Sequence, residues 1–141
     1  MQTLKAFDAE PFAVLATEDR HGPYASLVAY ALVPGQTSIV IATPRNSRKY
    51  RNLVKRRHVA LLIDRRPAEG GALMEADALT VLGEALPVRR GEGWKELAQA
   101  YEQKHPYLHD FLEAKTTALV KIAITEAVYV TRFQQVSTWL P

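Results

Sequence analysis

The chain has 141 residues, 48% hydrophobic and 23% charged, which is the balance of a globular protein with one core rather than of a disordered chain. It contains no cysteine, which excludes disulfides, thiolate metal centres and cysteine nucleophiles, and no apolar run nears the roughly 18 residues of a membrane span. The net charge is only +3, yet nine of the 18 basic residues (Arg45, Arg48, Lys49, Arg51, Lys55, Arg56, Arg57, Arg65, Arg66) crowd one stretch opposed by Asp64 alone.

Leu4–Glu10 offers a short leading helix, and the N-terminus lacks a signal-peptide pattern, so a single domain over 1–141 in the cytoplasm is the expectation. Phe12–Thr17 (FAVLAT), bounded by Pro11 and the polar EDRHGP segment, reads as a buried strand. His21-Gly22-Pro23 supplies turn chemistry. Tyr24–Val33 is a second strand closed by Pro34-Gly35, and Ser38–Thr43 is a third. Connections this short predict an antiparallel meander.

Asn46 or Ser47 can cap the next element, and Tyr50, Leu53 and Val54 form one apolar stripe on a helix of about three turns. His58–Asp64 returns as a fourth strand, followed by a loop over Arg65–Ala76 with Pro67, Gly70 and Gly71. Ala78–Val88 is a fifth strand interrupted by Gly83. Gly91–Lys104 switches to helical period, with Trp94, Leu97, Ala98 and Tyr101 on one face. His105-Pro106 breaks it, and Tyr107, Leu108, Phe111 and Leu112 make a second short apolar face. Thr117–Phe133 is a long, bent strand with Val120, Ile122, Ile124, Val128 and Val130 at even spacing, a pattern that Glu126 breaks. The tail QQVSTWLP carries an isolated Trp139. Six strands with two helical interruptions predict a mainly β fold, a small antiparallel barrel with flanking helices.

The joint between the third strand and the basic helix concentrates the chemistry. Arg48 and Lys49 lie in the first helical turn, where cations oppose the macrodipole, and no carboxylate stands nearby in sequence. A bound dianion reverses that balance, accepting from exposed helix N–H groups, from the hydroxyls of Thr43 and Ser47, and from both cations. The glycines of a P-loop or of GxGxxG are absent.

The run Ile41-Ala42-Thr43-Pro44-Arg45-Asn46-Ser47-Arg48-Lys49 resembles the FMN-phosphate segment of the pyridoxamine 5'-phosphate oxidase-like split-barrel flavoproteins. In that family a strand ends in aromatic-Thr and Ser-Arg-Lys follows after three residues. The LATEDRHGPYASLVAY meander and the strand His58–Asp64 are also similar. The resemblance implies a six-stranded antiparallel split β-barrel in which Thr43, Arg48 and Lys49 hold the FMN phosphate, with Ala42 serving through its backbone. It further implies that Ser26, Leu27 and Val28 lie along the flavin and ribityl chain. A homodimer with two flavins at its interface is implied too. Trp139, which no family motif covers, is a further candidate to pack against a flavin, its own chain's or the partner's. The oxidases' C-terminal FW and RLHxR elements are missing, so the chain is similar to a short, generic member rather than to a vitamin B6 oxidase.

The expected function is therefore FMN binding with flavin-dependent oxidation or reduction of a small substrate. The alternatives are a relative handling deazaflavin F420 or haem, and a non-catalytic flavin, anion or nucleic-acid binding module. Only Tyr50 interleaves the basic stretch, whereas a nucleic-acid binder would interleave exposed aromatics. His105 and His109 stand at i, i+4 but Pro106 separates them, and no third ligand is evident, so no metal site is assigned.

Overall fold

A computed structural model of the chain describes residues 2–35, 37–65, 77–91, 93–131 and 135–141. The loop expected after Arg65, Arg66 of the basic cluster, and the expected strand end at Phe133 lie outside the described residues.

A short helix α1 (Gln2–Phe7) leads into β1 (Phe12–Asp19) and β2 (Gly22–Leu32), which pair in register from Phe12↔Ala29 to Asp19↔Gly22. The turn between them closes because Gly22 takes φ 119° and the His21 N–H donates to Asp19 Oδ1 at 2.7 Å. Then follow β3 (Ser38–Pro44), α2 (Arg48–Lys55), β4 (His58–Arg65), β5 (Asp77–Val88), α3 (Trp94–Lys104), a single 3-10 turn at Pro106–Leu108 and α4 (His109–Glu113). The chain ends in β6 (Thr117–Thr131) and β7 (Gln135–Trp139). The sheet order is β3-β2-β1-β4-β5-β6-β7, and an added β3–β6 pairing closes the first six strands into the expected antiparallel barrel. The tail, which carries no strand signal beyond Trp139, adds β7 to the outer half of β6.

β6 serves three neighbours because it bends. Its first half pairs with β3 (Thr117–Ala123), its second half with β7 (Ala127–Thr131), and β5 runs beside both. The bend is a bulge: register shifts between Leu82 and Gly83, leaving Thr125 unpaired with its hydroxyl donating to the Leu82 carbonyl at 3.1 Å. That extra residue moves the core face from Val120, Ile122 and Ile124 to Ala127, correcting the even spacing expected through Val128 and Val130, which are only half-buried. At the bulge a Cβ on Gly83 would lie 2.6 Å from the Ala123 carbonyl oxygen and 2.7 Å from Ile122 Cγ2. Gly83→Ala is accordingly expected to cost about 1–3 kcal/mol and lower the melting temperature by roughly 3–10 °C, measured by thermal denaturation. An unchanged melting temperature would show that the two strands separate freely.

The barrel interior is filled by Leu15, Ile39, Ile41, Leu61, Ile63, Val81, Val120 and Ile122, all fully buried, with Leu4 and Phe7 of α1 and Leu53 of α2 in the same cluster. A second cluster lies outside the barrel, where Leu97, Tyr101 and Leu112 of the helical layer cover Val40, Ala42 and Leu119. This is why β3 is apolar on both faces and buried throughout its length from Ser38 to Thr43. β1 looks similar in sequence, but only one of its faces is covered. Phe12 (47% exposed) and Val14 (37%) stand on the open side, which corrects the reading of FAVLAT as a buried strand: it is buried on one face. On α2, Val54 is likewise exposed, and the buried position is taken by Asn52, whose Nδ2 donates to Thr17 Oγ1 at 3.1 Å and docks the helix on β1.

Candidate functional site

The β2–β3 ladder is short, running only through Tyr30↔Ile41, Ala31↔Val40 and Leu32↔Ile39. Beyond it the two strands part. β3 stays with β6 as far as Pro44↔Thr117, while β2 stays with β1 as far as Gly22. Along Leu27–Ala29, β2 therefore has a strand on one side and, among the described residues, none on the other. Every second backbone N–H and C=O on that side is left for something else to satisfy. A cleft of about 270 Å³ occupies the gap. Leu27, Val28 and Ala29 form one wall, Ala42 and Pro44 the other, and Lys49 enters from α2. The α3–α4 corner supplies Tyr101, Tyr107, Leu108 and Phe111, and β1 supplies Phe12.

Four of the residues expected from sequence thus meet here: Leu27, Val28, Ala42 and Lys49. Thr43 and Ser47 stand behind them, Thr43 fully buried and its hydroxyl 2.9 Å from that of Ser47. The Ser47 hydroxyl donates to the Pro44 carbonyl at 2.8 Å and accepts from the Tyr50 N–H at 3.2 Å, so Ser47, not Asn46, is the N-cap of α2. The pair sets the shape of the loop and aims the helix N-terminus. The first N–H groups of a helix have no partner within it, and here the Ser47 side chain caps that of Tyr50.

Arg48 points elsewhere. Its guanidinium bonds Asp19 Oδ2 at 2.9 and 3.2 Å and lies 4.2 Å from the centre of the Tyr24 ring. This corrects the expectation that no carboxylate compensates the two cations: Asp19 does so for Arg48 across 29 positions of sequence. The His21 backbone N–H and Arg48 hold the Asp19 carboxyl below its usual pKa. Arg45, Arg51, Arg56 and Arg57 are exposed, and the Arg51 guanidinium donates to the Asn46 carbonyl at 2.6 Å.

Ser26 is one residue away from the cleft wall and opposes Leu15. Its hydroxyl is buried and meets no hydrogen-bond partner among the described residues, an orphan on the strand whose edge is unpaired. Trp139 lies apart from the cleft of its own chain, on β7 opposite Ala127, beside a separate cavity lined by Leu4, Lys5 and Leu32.

Sequence reasoning missed the aromatic wall. Tyr107 and Phe111 were visible as a short apolar face, but nothing local distinguishes packing residues from residues lining a gap. Below this wall His105 is 1% exposed, its Nε2 2.8 Å from the Tyr30 carbonyl and its Nδ1 3.3 Å from the Tyr107 hydroxyl. Burial, with Lys104 alongside, lowers its pKa and keeps the ring neutral. His109 faces the other way and bonds Glu102, so the two histidines share no site. Burial also pushes the Tyr101 phenol up to about 12.

The outer face of β2-β1-β4 adjoins the cleft. Val14 is flanked by Leu27 on β2 and Leu62 on β4, three aliphatic side chains in one row with 37%, 64% and 44% exposure. Phe12↔Ala29 forms the row on one side, and Ala25, Ala16 and Ala60 the row on the other. Leu27 belongs to both this face and the cleft.

Comparison with known proteins places this geometry. The pyridoxamine 5'-phosphate oxidase family model matches residues 1–139. No curated protein matches by sequence. Among solved structures, the chain is similar to a haem-binding protein from Mycobacterium smegmatis (18% identity, TM-score 0.83, 94% of this chain and 53% of that one). It thus spans about half the length of that protein. It is also similar to HutZ, a haem storage protein from Vibrio cholerae (20% identity, TM-score 0.74, 99% and 92%). A FAD-binding protein from Mesorhizobium loti gives 16% identity and TM-score 0.74 over 91% and 89%. At these identities the likeness is one of fold, the split barrel.

Proposed function

The chain belongs to the pyridoxamine 5'-phosphate oxidase family, and from that membership we propose that it binds FMN and oxidises or reduces a small molecule as a homodimer. The observation that carries this reading is the unpaired edge of β2, Leu27–Ala29, facing Ala42 and Pro44 across a cleft that Lys49 enters from the start of a helix. An apolar slot with backbone donors and acceptors on one side suits a flat ring with a polar rim, and a cation beside helix N–H groups suits a phosphate.

In this assignment Lys49 and the N–H groups opening α2 hold the phosphate, with Thr43 and Ser47 shaping that loop and Arg48 joining once it leaves Asp19. Leu27 and Val28 lie along the ring, Ser26 precedes them on the same strand with its hydroxyl unpartnered among the described residues, and Ala42 contributes through its backbone. Bound FMN supplies the electron transfer itself. The protein's part is to orient the ring, exclude water with Leu27, Phe12 and Phe111, and hold positive charge beside it. The apolar face of Phe12, Val14, Leu27 and Leu62 supports a second copy of the chain as the cover, and the assignment includes a cleft at the dimer interface with the partner's Trp139 as a ring contact.

The haem-binding neighbours raise the other reading. Against it stands His105, whose Nδ1 meets the cleft-lining Tyr107, and which is buried with both ring nitrogens engaged and is not offered to an iron. The test is the visible spectrum of the purified protein and a titration with FMN, deazaflavin F420 and haemin. The expected outcome is one FMN per chain with quenched flavin fluorescence. Binding of haemin or deazaflavin F420 in preference to FMN, or no binding of any, overturns the assignment.

A further inference from the structure

A tyrosine that is 68% exposed normally turns its hydroxyl to water, but Tyr107 turns its own inward to His105 Nδ1. The direction of that hydrogen bond follows from the far side of the ring. His105 Nε2 lies 2.8 Å from the Tyr30 carbonyl oxygen, which can only accept, so Nε2 carries the proton. The neutral ring's Nδ1 is then bare and accepts, and the Tyr107 O–H must be the donor. The chain of bonds runs Tyr107 O–H to His105, and His105 N–H to Tyr30, each step fixed by the one beyond it. The surroundings hold the ring in place: Tyr101 packs at 5.2 Å between ring centres and Tyr107 meets it edge-on at 5.9 Å.

With its proton committed, the phenol oxygen of Tyr107 can offer only lone pairs to the space outside. Tyr107 lines the cleft together with Tyr101, Phe111 and Phe12. Four aromatic side chains around one slot favour a flat aromatic guest by ring contact. A fixed acceptor among them discriminates by hydrogen bonding, and a site built to pair a donor rejects the isostere that lacks it.

We propose that the aromatic side of the cleft binds the second reactant, a planar aromatic or heteroaromatic molecule whose N–H or O–H donates to the Tyr107 oxygen. This rests on the flavin reading only in calling that molecule a reactant; the recognition belongs to the cleft itself. Tyr107 is the specificity-determining residue and His105 the positioning residue that sets its polarity.

The experiment uses indole and benzofuran, the same shape with and without an N–H, titrated into FMN-loaded protein and read by ligand-observed NMR. Indole is expected to bind about fivefold tighter than benzofuran, one neutral hydrogen bond's worth. In Tyr107→Phe, at an exposed position where folding is preserved, the indole advantage disappears while benzofuran affinity stays the same. Equal affinities in the unsubstituted protein overturn the proposal, as does an indole preference that survives Tyr107→Phe. The same titrations on protein without FMN separate the two readings. Indole preference without any FMN binding removes the flavin assignment and keeps the recognition. FMN binding without indole preference does the reverse.

Discussion

Leu27→Asp is expected to turn the protein into a monomer and to strip it of FMN in the same step. Leu27 is 64% exposed in the single chain, sits in the row Leu27–Val14–Leu62 and also lines the cleft. In a two-fold dimer the same patch meets itself, so one substitution enters the interface twice. An unpaired carboxylate taken out of water costs several kcal/mol, of the order of a whole marginal association. Sedimentation velocity should show a monomer, and the flavin should wash out because the cleft has lost its cover. Val54→Asp, at an exposed aliphatic position on α2 away from that face, is the control and should alter neither property. A protein that is monomeric before substitution, or a Leu27→Asp dimer, would remove the interface. A monomer that keeps its flavin would show that one chain suffices for the site.

Lys49→Met is expected to weaken FMN binding by about 10- to 100-fold, the loss of one charge-assisted hydrogen bond, and to leave riboflavin affinity unchanged. Riboflavin has the ring and ribityl chain but no phosphate, so the comparison isolates the end of the ligand that Lys49 serves. Arg48→Met should cost less, because the Arg48 guanidinium is already paired with Asp19. That pair is solvent-exposed and weakly held, so a phosphate can compete for the guanidinium. Two further variants sharpen the point. Asp19→Asn should raise FMN affinity by releasing Arg48, and the double variant lacking both cations should retain no flavin through purification. Equal losses for FMN and riboflavin in Lys49→Met would place the phosphate elsewhere.

Much of this arrangement was legible from residues alone where neighbours in sequence decide the matter. Ser47 as a cap, the helix that follows it, the break at His105-Pro106 and the interruption at Gly83 are all local. Each depends on a side chain's own hydrogen-bonding or conformational limits within a few positions. The Thr43-to-Lys49 spacing pointed to the family that the comparison over residues 1–139 also gives.

Where the reading failed, the missing information was the identity of a distant neighbour. FAVLAT and SIVIAT are equally apolar, yet β3 is covered on both faces by the barrel interior and the helical layer, while β1 has its outer face open. The even spacing of β6 was sound up to Ile124 and then inverted, because a bulge opposite Gly83 adds one residue. The tail from Gln135 has no strand signature of its own and becomes β7 only because the bend of β6 exposes an edge for it.

The element beginning at Thr43 shows the same division. By itself the sequence determined that a strand ends there, that a serine-capped helix starts with two cations, and that this junction suits a phosphate. Only the tertiary structure decided that the two cations part company, Lys49 to the cleft and Arg48 to Asp19. It also decided that a cleft exists, since β3 must leave β2 after Ile41 to close the barrel against β6. The physical reason is that caps, turns and helix stripes are set by contacts within a few residues. Strand partners are set instead by which pairing buries the most apolar surface across the whole chain, a quantity no short window contains.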